Sequence, residues 1–166
     1  MRVNIALLTV TDSRTLKTDK SGAILVNKIN KAKHNLVDRK ICKDNKKDIK
    51  KILKKWLKKK NIDVIITTGG TGLTGRDITP EALDEIADKH IPGFGEVFRT
   101  LSLKTVGTSS IQSRACAVLS NGKYVFALPG SSGGVKDAWD GILKHQLNIK
   151  NKPCNFVELF PRLKEK

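Results

Sequence analysis

Val64-Ile65-Ile66 runs directly into Thr67-Thr68-Gly69-Gly70-Thr71-Gly72-Leu73-Thr74-Gly75-Arg76-Asp77-Ile78-Thr79-Pro80-Glu81. The short apolar, β-branched run reads as a strand buried on both faces, the kind found in parallel sheets. The glycines after it let the backbone approach a ligand closely and turn N–H groups toward an anion. Thr79-Pro80-Glu81 reads as a helix start, with a capping hydroxyl, proline at the first helical position and an acid in the first turn. A strand, a glycine loop and a helix in that order form a unit of an α/β fold.

The chain on either side fits that unit. Residues 3–11 are nearly continuous in apolar and β-branched types and predict another buried strand. A polar loop follows over 12–22, then a helix over 23–33 and a strand over 35–41. Ile49, Ile52, Leu53, Trp56 and Leu57 fall on one face of a further helix, and lysines fill the rest of its surface. The helix opened by Thr79 is expected to run to about His90, where Ile91-Pro92-Gly93 breaks it. Another helix is expected over 95–103. Apolar runs at 115–119 and 124–128 flank Asn121-Gly122, a strong hairpin signal. One long helix then buries Val135, Ala138, Trp139, Ile142, Leu143 and Leu147. The tail from Pro153 is partly apolar and is expected to pack on the body or on a neighbouring subunit.

This order predicts an α/β protein of three layers, α/β/α, with a mainly parallel sheet and one antiparallel strand. Residues 1–166 read as a single domain, long enough to bury roughly 70% of the unfolded surface. No apolar run approaches the roughly 20 residues that span a bilayer, so no membrane association is expected. Cys42, Cys116 and Cys154 are odd in number and far apart. That spacing argues against a disulfide framework or a zinc site and fits a reducing, cytoplasmic setting.

The net charge is +16, which raises the question of nucleic acid. Lysines outnumber arginines 25 to 7, whereas a base-reading surface favours the planar fork of arginine. The eight aromatic residues sit mostly at core spacing and leave no stacking platform. No specific nucleic-acid partner is expected.

In sheets of this kind, ligands bind beyond the carboxyl ends of the strands. Two glycine loops lie there: residues 69–75, and Pro129-Gly130-Ser131-Ser132-Gly133-Gly134. Gly70, Gly72 and Gly75 match the dinucleotide fingerprint in letters. Residues Asp77 to Pro80 delay the helix, however, and no acid-ended strand follows at the required distance. A Walker loop needs Lys-Ser or Lys-Thr after Gly75, where Arg76-Asp77 stands. Asp77 is an acid in an anion-seeking loop. It makes sense there as a holder of Mg²⁺ bridged to phosphate, or else as a helix cap.

The whole string resembles the signature of the MoaB/MogA family of molybdenum-cofactor biosynthesis proteins, and the resemblance covers essentially the entire chain. Its other anchors are Thr9-Val10-Thr11-Asp12-Ser13, Asp19-Lys20-Ser21-Gly22, Gly107-Thr108-Ser109, Ser113-Arg114-Ala115 and Leu128-Pro129-Gly130-Ser131. Gly93-Phe94-Gly95-Glu96-Val97-Phe98-Arg99 and Pro153-Cys154-Asn155-Phe156 resemble the MoaB branch in particular.

The resemblance implies the MogA-like molybdopterin-binding fold and a reaction. In that reaction AMP passes from Mg-ATP to the terminal phosphate of molybdopterin and pyrophosphate leaves. A molybdate-insertion protein is implied as the receiver of the product. The chemistry needs in-line positioning and charge neutralisation, with little covalent help from the protein. By position, Asp77 matches the family's essential acid in the glycine loop, acting through Mg²⁺, and Asp44 falls where the nucleotide-site acid of active members lies; both are implied as catalytic. Asp44 also reads as a helix cap before Ile49. Asp12, Ser13, Ser21 and Gly22 match a first ligand loop, and Gly69, Gly70, Thr71 and Gly72 match the central one. Ser113 and Arg114, and Gly130 and Ser131, match two further ligand-facing stretches. The family also implies a homo-oligomer, trimer or hexamer. A second reading stays open: a non-catalytic oligomer of the MoaB type that binds molybdopterin without transferring AMP.

Overall fold

β1 (Asn4–Val10) sends Ile5 and Leu7 to one side of a sheet and Ala6, Leu8 and Val10 to the other, and both sets are buried. The alternation is the two-residue period of a strand, and only a sheet covered on both faces hides every residue. β2 spans Asn35–Cys42, β3 Val64–Thr68, β4 Lys89–His90, β5 Cys116–Ser120 and β6 Lys123–Leu128. They form a six-stranded sheet in the order β2-β1-β3-β6-β5-β4. β2, β1, β3 and β6 are parallel, while β5 runs against both β6 and β4. The structure, a computed structural model, describes residues 1–165.

Helices cover both faces and give the three layers. α1 (Lys20–Lys31), α4 (Pro92–Val106) and α5 (Ser132–Ala138) lay Leu25, Ile29, Phe94, Phe98 and Val135 on one face, against Ile5, Leu7, Ile66 and Phe126. α2 (Lys46–Leu57) and α3 (Thr79–Asp84) lay Ile49, Leu53, Trp56, Ala82 and Leu83 on the other, against Ala6, Leu8, Ile65 and Val125. The buried stripe of α2 is the expected one. Each fully buried side chain of that size contributes roughly 1.5–3 kcal/mol, which explains how a helix so rich in lysine is held. The hairpin also forms as expected, with Asn121 at φ 48° and Gly122 at φ 69°, the positive pair that a two-residue turn of matching twist requires.

Several boundaries differ from the sequence reading. α1 begins three residues earlier than expected because Asp19 caps it, accepting a hydrogen bond from the Gly22 amide at 2.8 Å. α3 stops at Asp84 and does not reach His90. Lys89–His90 are instead captured as β4 by pairing with Leu119 and Val118 of β5, an interaction no local pattern announces. The Thr79 hydroxyl is not a cap. Thr79 lies inside α3, and its Oγ1 donates to the Gly69 carbonyl at 2.9 Å. Pro92 begins α4 where a break was expected, as suits a residue without an amide hydrogen. The last long helix is interrupted by a π-helical turn (Trp139–Leu143) before α6 (Lys144–Gln146). The tail packs on the body: Phe156 and Phe160 lie against Tyr124, with ring centroids 4.6 and 5.6 Å apart. Among the described residues, no helix is long and apolar enough to cross a membrane.

Candidate functional site

From β1 the chain moves to one side to form β2 and returns to the other side to form β3. The loops leaving the ends of β1 and β3 therefore diverge and open a crevice. A cavity of about 790 Å³ lies there. Its wall comes from residues 9–14 after β1, 19–21 at the head of α1, Asp44 after β2, residues 68–72 with Asp77, residues 112–113, and 129–132 after β6.

The glycine loop is built by a few specific contacts. Gly69 has φ +102°, and a Cβ there would stand 2.1 Å from the Val10 carbonyl, so only glycine lets β3 turn this close to β1. Its amide donates to the Leu128 carbonyl at 3.0 Å, which ties the central loop to the end of β6. Thr79 then closes the base of the loop, its amide donating to the Gly70 carbonyl at 3.0 Å and its hydroxyl to that of Gly69. Asp77 turns back into the loop, where its Oδ2 accepts from the Thr74 amide at 2.9 Å and the Thr74 hydroxyl at 2.6 Å. Gly72 must lack a side chain for this, because a Cβ would stand 2.6 Å from that oxygen.

The acids of the cavity stand in different electrostatic states. Partial burial opposes the charge on Asp77, but the Thr74 hydroxyl and the amides of Thr74 and Gly72 hold its pKa below the usual carboxylate value. Asp44 goes the other way. Burial raises its pKa, and the charges on Asp77 and Asp12 raise it further, against the Ile78 amide and Arg76. Asp44 Oδ1 is buried with no hydrogen-bond partner. It is not spent on capping either, since Asn45 caps α2 by accepting from the Asp48 amide at 2.8 Å. Asp12 bridges two segments, accepting from the Asp44 amide at 3.2 Å and pairing with Arg76. A fourth acid, Asp19, is buried at 2% exposure and bonded to Thr9 Oγ1 at 2.6 Å and Arg39 at 3.0 Å. Burial again opposes its charge, and these partners hold its pKa down.

An orphaned buried carboxylate oxygen beside a second carboxylate whose pKa is held down is a donor set that suits a hard cation. Among the described residues, no group of three or more His, Cys, Asp or Glu is placed to hold a metal ion. A Mg²⁺ ion bound by one or two carboxylates and completed by phosphate oxygens needs no such group.

Twelve of the expected site residues meet on the cavity wall: Asp12, Ser13, Ser21, Asp44, Gly69, Gly70, Thr71, Gly72, Asp77, Ser113, Gly130 and Ser131. Gly22 and Arg114 do not line it. The Gly22 amide serves the Asp19 cap, and Arg114 lies behind the glycine loop, bonded to its carbonyls and to Glu81. Sequence reasoning missed Arg14, Asp19 and Lys20, which do line it. The signal for Asp19 was present, since an acid three residues before the Gly22 amide is a helix cap.

A family model described as "Probable molybdopterin binding domain" matches residues 6–149. The molybdenum cofactor biosynthesis protein B of Escherichia coli K12 is 42% identical over 161 residues, covering 97% of this chain and 93% of that protein. Its namesake in Staphylococcus aureus strain COL is 45% identical over 149 residues, 88% of each chain. A crystal structure of a molybdenum cofactor biosynthesis protein B superposes with a TM-score of 0.90 at 36% identity, covering 100% of this chain and 98% of that one. That of the tungsten cofactor synthesizing protein MoaB from Pyrococcus furiosus gives 0.77 at 35% identity, covering 87% and 92%.

Proposed function

The chain belongs to the molybdopterin-binding family of molybdenum cofactor biosynthesis proteins, and from that premise we propose that it is a molybdopterin adenylyltransferase. An oxygen of the terminal phosphate of molybdopterin attacks the α-phosphorus of ATP. The bond from that phosphorus to the oxygen bridging it to the β-phosphate breaks, and pyrophosphate leaves. A purely molybdopterin-binding role is the second reading, and the relatives named as protein B keep it in view.

The observation that carries the proposal is Asp44 Oδ1, buried without a partner beside Asp77 in a cavity walled by two glycine loops. Burying an unsatisfied carboxylate oxygen is costly, so a site that keeps one is suited to a cation carried in with its ligand. Asp44 and Asp77 are the residues that would hold Mg²⁺. When bound, that ion neutralises charge on the phosphates. The amides of the glycine loops would cradle the phosphate oxygens, and the hydroxyls of Ser113 and Ser131 would add donors at the wall. The cavity volume is large enough for a nucleotide together with a phosphorylated heterocycle. We also propose assembly as a trimer or hexamer, with the half-exposed Val97, Leu103 and Val106 of α4 as contacts.

The test incubates the protein with fresh molybdopterin, ATP and Mg²⁺ and follows adenylylated pterin and pyrophosphate, with Asp77→Ala alongside. Product from the wild type and none from the variant is the expected result. No product with pterin still bound makes the chain a binding member of the family instead.

A further inference from the structure

Arg114 uses its guanidinium on the chain, not on the cavity. Nε donates to the Gly72 carbonyl at 2.7 Å, and one terminal nitrogen donates to the Asp77 carbonyl, also at 2.7 Å. One of those carbonyls lies inside the glycine loop and the other on the segment by which the chain leaves it for α3. Glu81, on the first turn of α3, holds the same guanidinium, through the other terminal nitrogen and through a 3.3 Å bond to the first. The Arg114 amide completes the attachment by donating to the Thr71 carbonyl at 2.9 Å.

The Asp77–Ile78 peptide is the link to the site. Among the described residues the one cis bond is Lys152–Pro153, so this peptide is trans. In a planar trans peptide the carbonyl and the N–H point opposite ways. With the carbonyl of Asp77 drawn toward Arg114, the N–H of Ile78 is turned toward the cavity side, where Asp44 stands. The Ile78 amide indeed opposes the upward pKa shift of Asp44. One guanidinium thus sets the backbone that carries Asp77 and the amide that faces Asp44.

We propose that Arg114 and Glu81 are positioning residues, a clamp behind the glycine loop that fixes the Asp77–Ile78 peptide and so sets the relative placement of Asp44 and Asp77 for a cation-bound nucleotide. The nucleotide part of this statement rests on the adenylyltransferase reading, while the clamp itself does not. Only a guanidinium can serve, because two carbonyls at fixed separation require N–H donors in a rigid plane. A lysine would keep the charge and lose one of the two carbonyls.

The experiment measures two quantities in the wild type, Arg114→Ala, Arg114→Lys and the milder Glu81→Gln. The first is amide hydrogen exchange of residues 72–78 in the free protein, and the second is Mg-ATP affinity by titration. Exchange across the loop is expected to quicken by about tenfold or more in both Arg114 variants, with affinity weakened about 10- to 100-fold, the range seen when a residue supporting a metal ligand is removed. β3 amides should stay protected. Millimolar guanidinium should restore part of the affinity to Arg114→Ala and none to Arg114→Lys, a rescue that general destabilisation would not produce. Glu81→Gln should show the same changes at smaller size and decides the matter if the Arg114 variants do not fold. Unchanged loop exchange in a folded variant overturns the clamp. A wild type that binds no Mg-ATP overturns the adenylyltransferase reading and leaves the exchange data to judge the clamp alone.

Discussion

Asp44 and Asp77 stand close enough for the charge on Asp77 to raise the pKa of Asp44, and while the Thr74 hydroxyl and amide hold the charge on Asp77 in place, the Ile78 amide at Asp44 is outweighed by burial and neighbouring charge. The two acids therefore affect stability in opposite directions, and each direction is measurable.

Asp44 has a pKa raised above its ordinary value of 3.8. A carboxyl shifted this way favours the fold fully below its unfolded pKa, and that contribution is lost as pH rises through the folded pKa. At neutral pH the charged Asp44 is a cost, moderated by the solvent that reaches the cavity. Asp44→Asn is expected to raise the melting temperature at pH 7 by roughly 1–2 °C, on the order of 0.5 kcal/mol for a chain of this size, while losing Mg-ATP affinity. Melting curves should show the gain shrinking to nothing below about pH 4.

Asp77 has a lowered pKa, so its contribution is present above the unfolded value and is lost as pH falls through the folded one. Asp77→Ala removes its two Thr74 bonds and should cost on the order of 1 kcal/mol at pH 7. Saturating Mg-ATP should raise the melting temperature of the wild type and leave that of this variant unmoved, which scanning fluorimetry would read directly.

Gly72→Ala should affect the site far more than the fold. The new methyl would meet Asp77 Oδ2 and push that carboxylate off the Thr74 amide. Mg-ATP affinity is expected to fall about tenfold or more, as for other disturbances around a metal ligand. Hydrogen exchange in β3 should stay at the wild-type rate.

The charge of +16 should give weak, sequence-blind binding to duplex DNA at low salt. Electrophoretic mobility shifts across a salt series are expected to lose that binding near physiological ionic strength. Retention there, with a sequence preference, would count against treating the lysine surface as incidental.

The parts of the fold legible in the sequence were those with a local period. The stripe Ile49, Leu53, Trp56 on α2, the buried run 64–66 and the Asn121-Gly122 turn were readable because each pattern is stated within a dozen residues. Lys89–His90 were not, because their strand exists only through pairing with Val118 and Leu119 nearly thirty residues away. At the site, the glycines and Asp77 declared themselves by residue type. The opposite protonation tendencies of Asp44 and Asp77 did not, since they depend on which amides the folded loop turns toward each acid. The same limit applied to Arg114: its match to a ligand-facing stretch placed it toward the cavity, and its position behind the loop gives it to two carbonyls instead.

The pairing of β6 with β3 carries a consequence for the order of events during synthesis. Until residues 123–128 emerge, β3 is an open sheet edge, and Gly69 lacks the Leu128 carbonyl that anchors the central loop. A nascent chain halted just before that point has five of its strands' sequences available to pair, and no second glycine loop to close the cavity. The wall that the two glycine loops make together therefore exists only in chains that have finished the sheet.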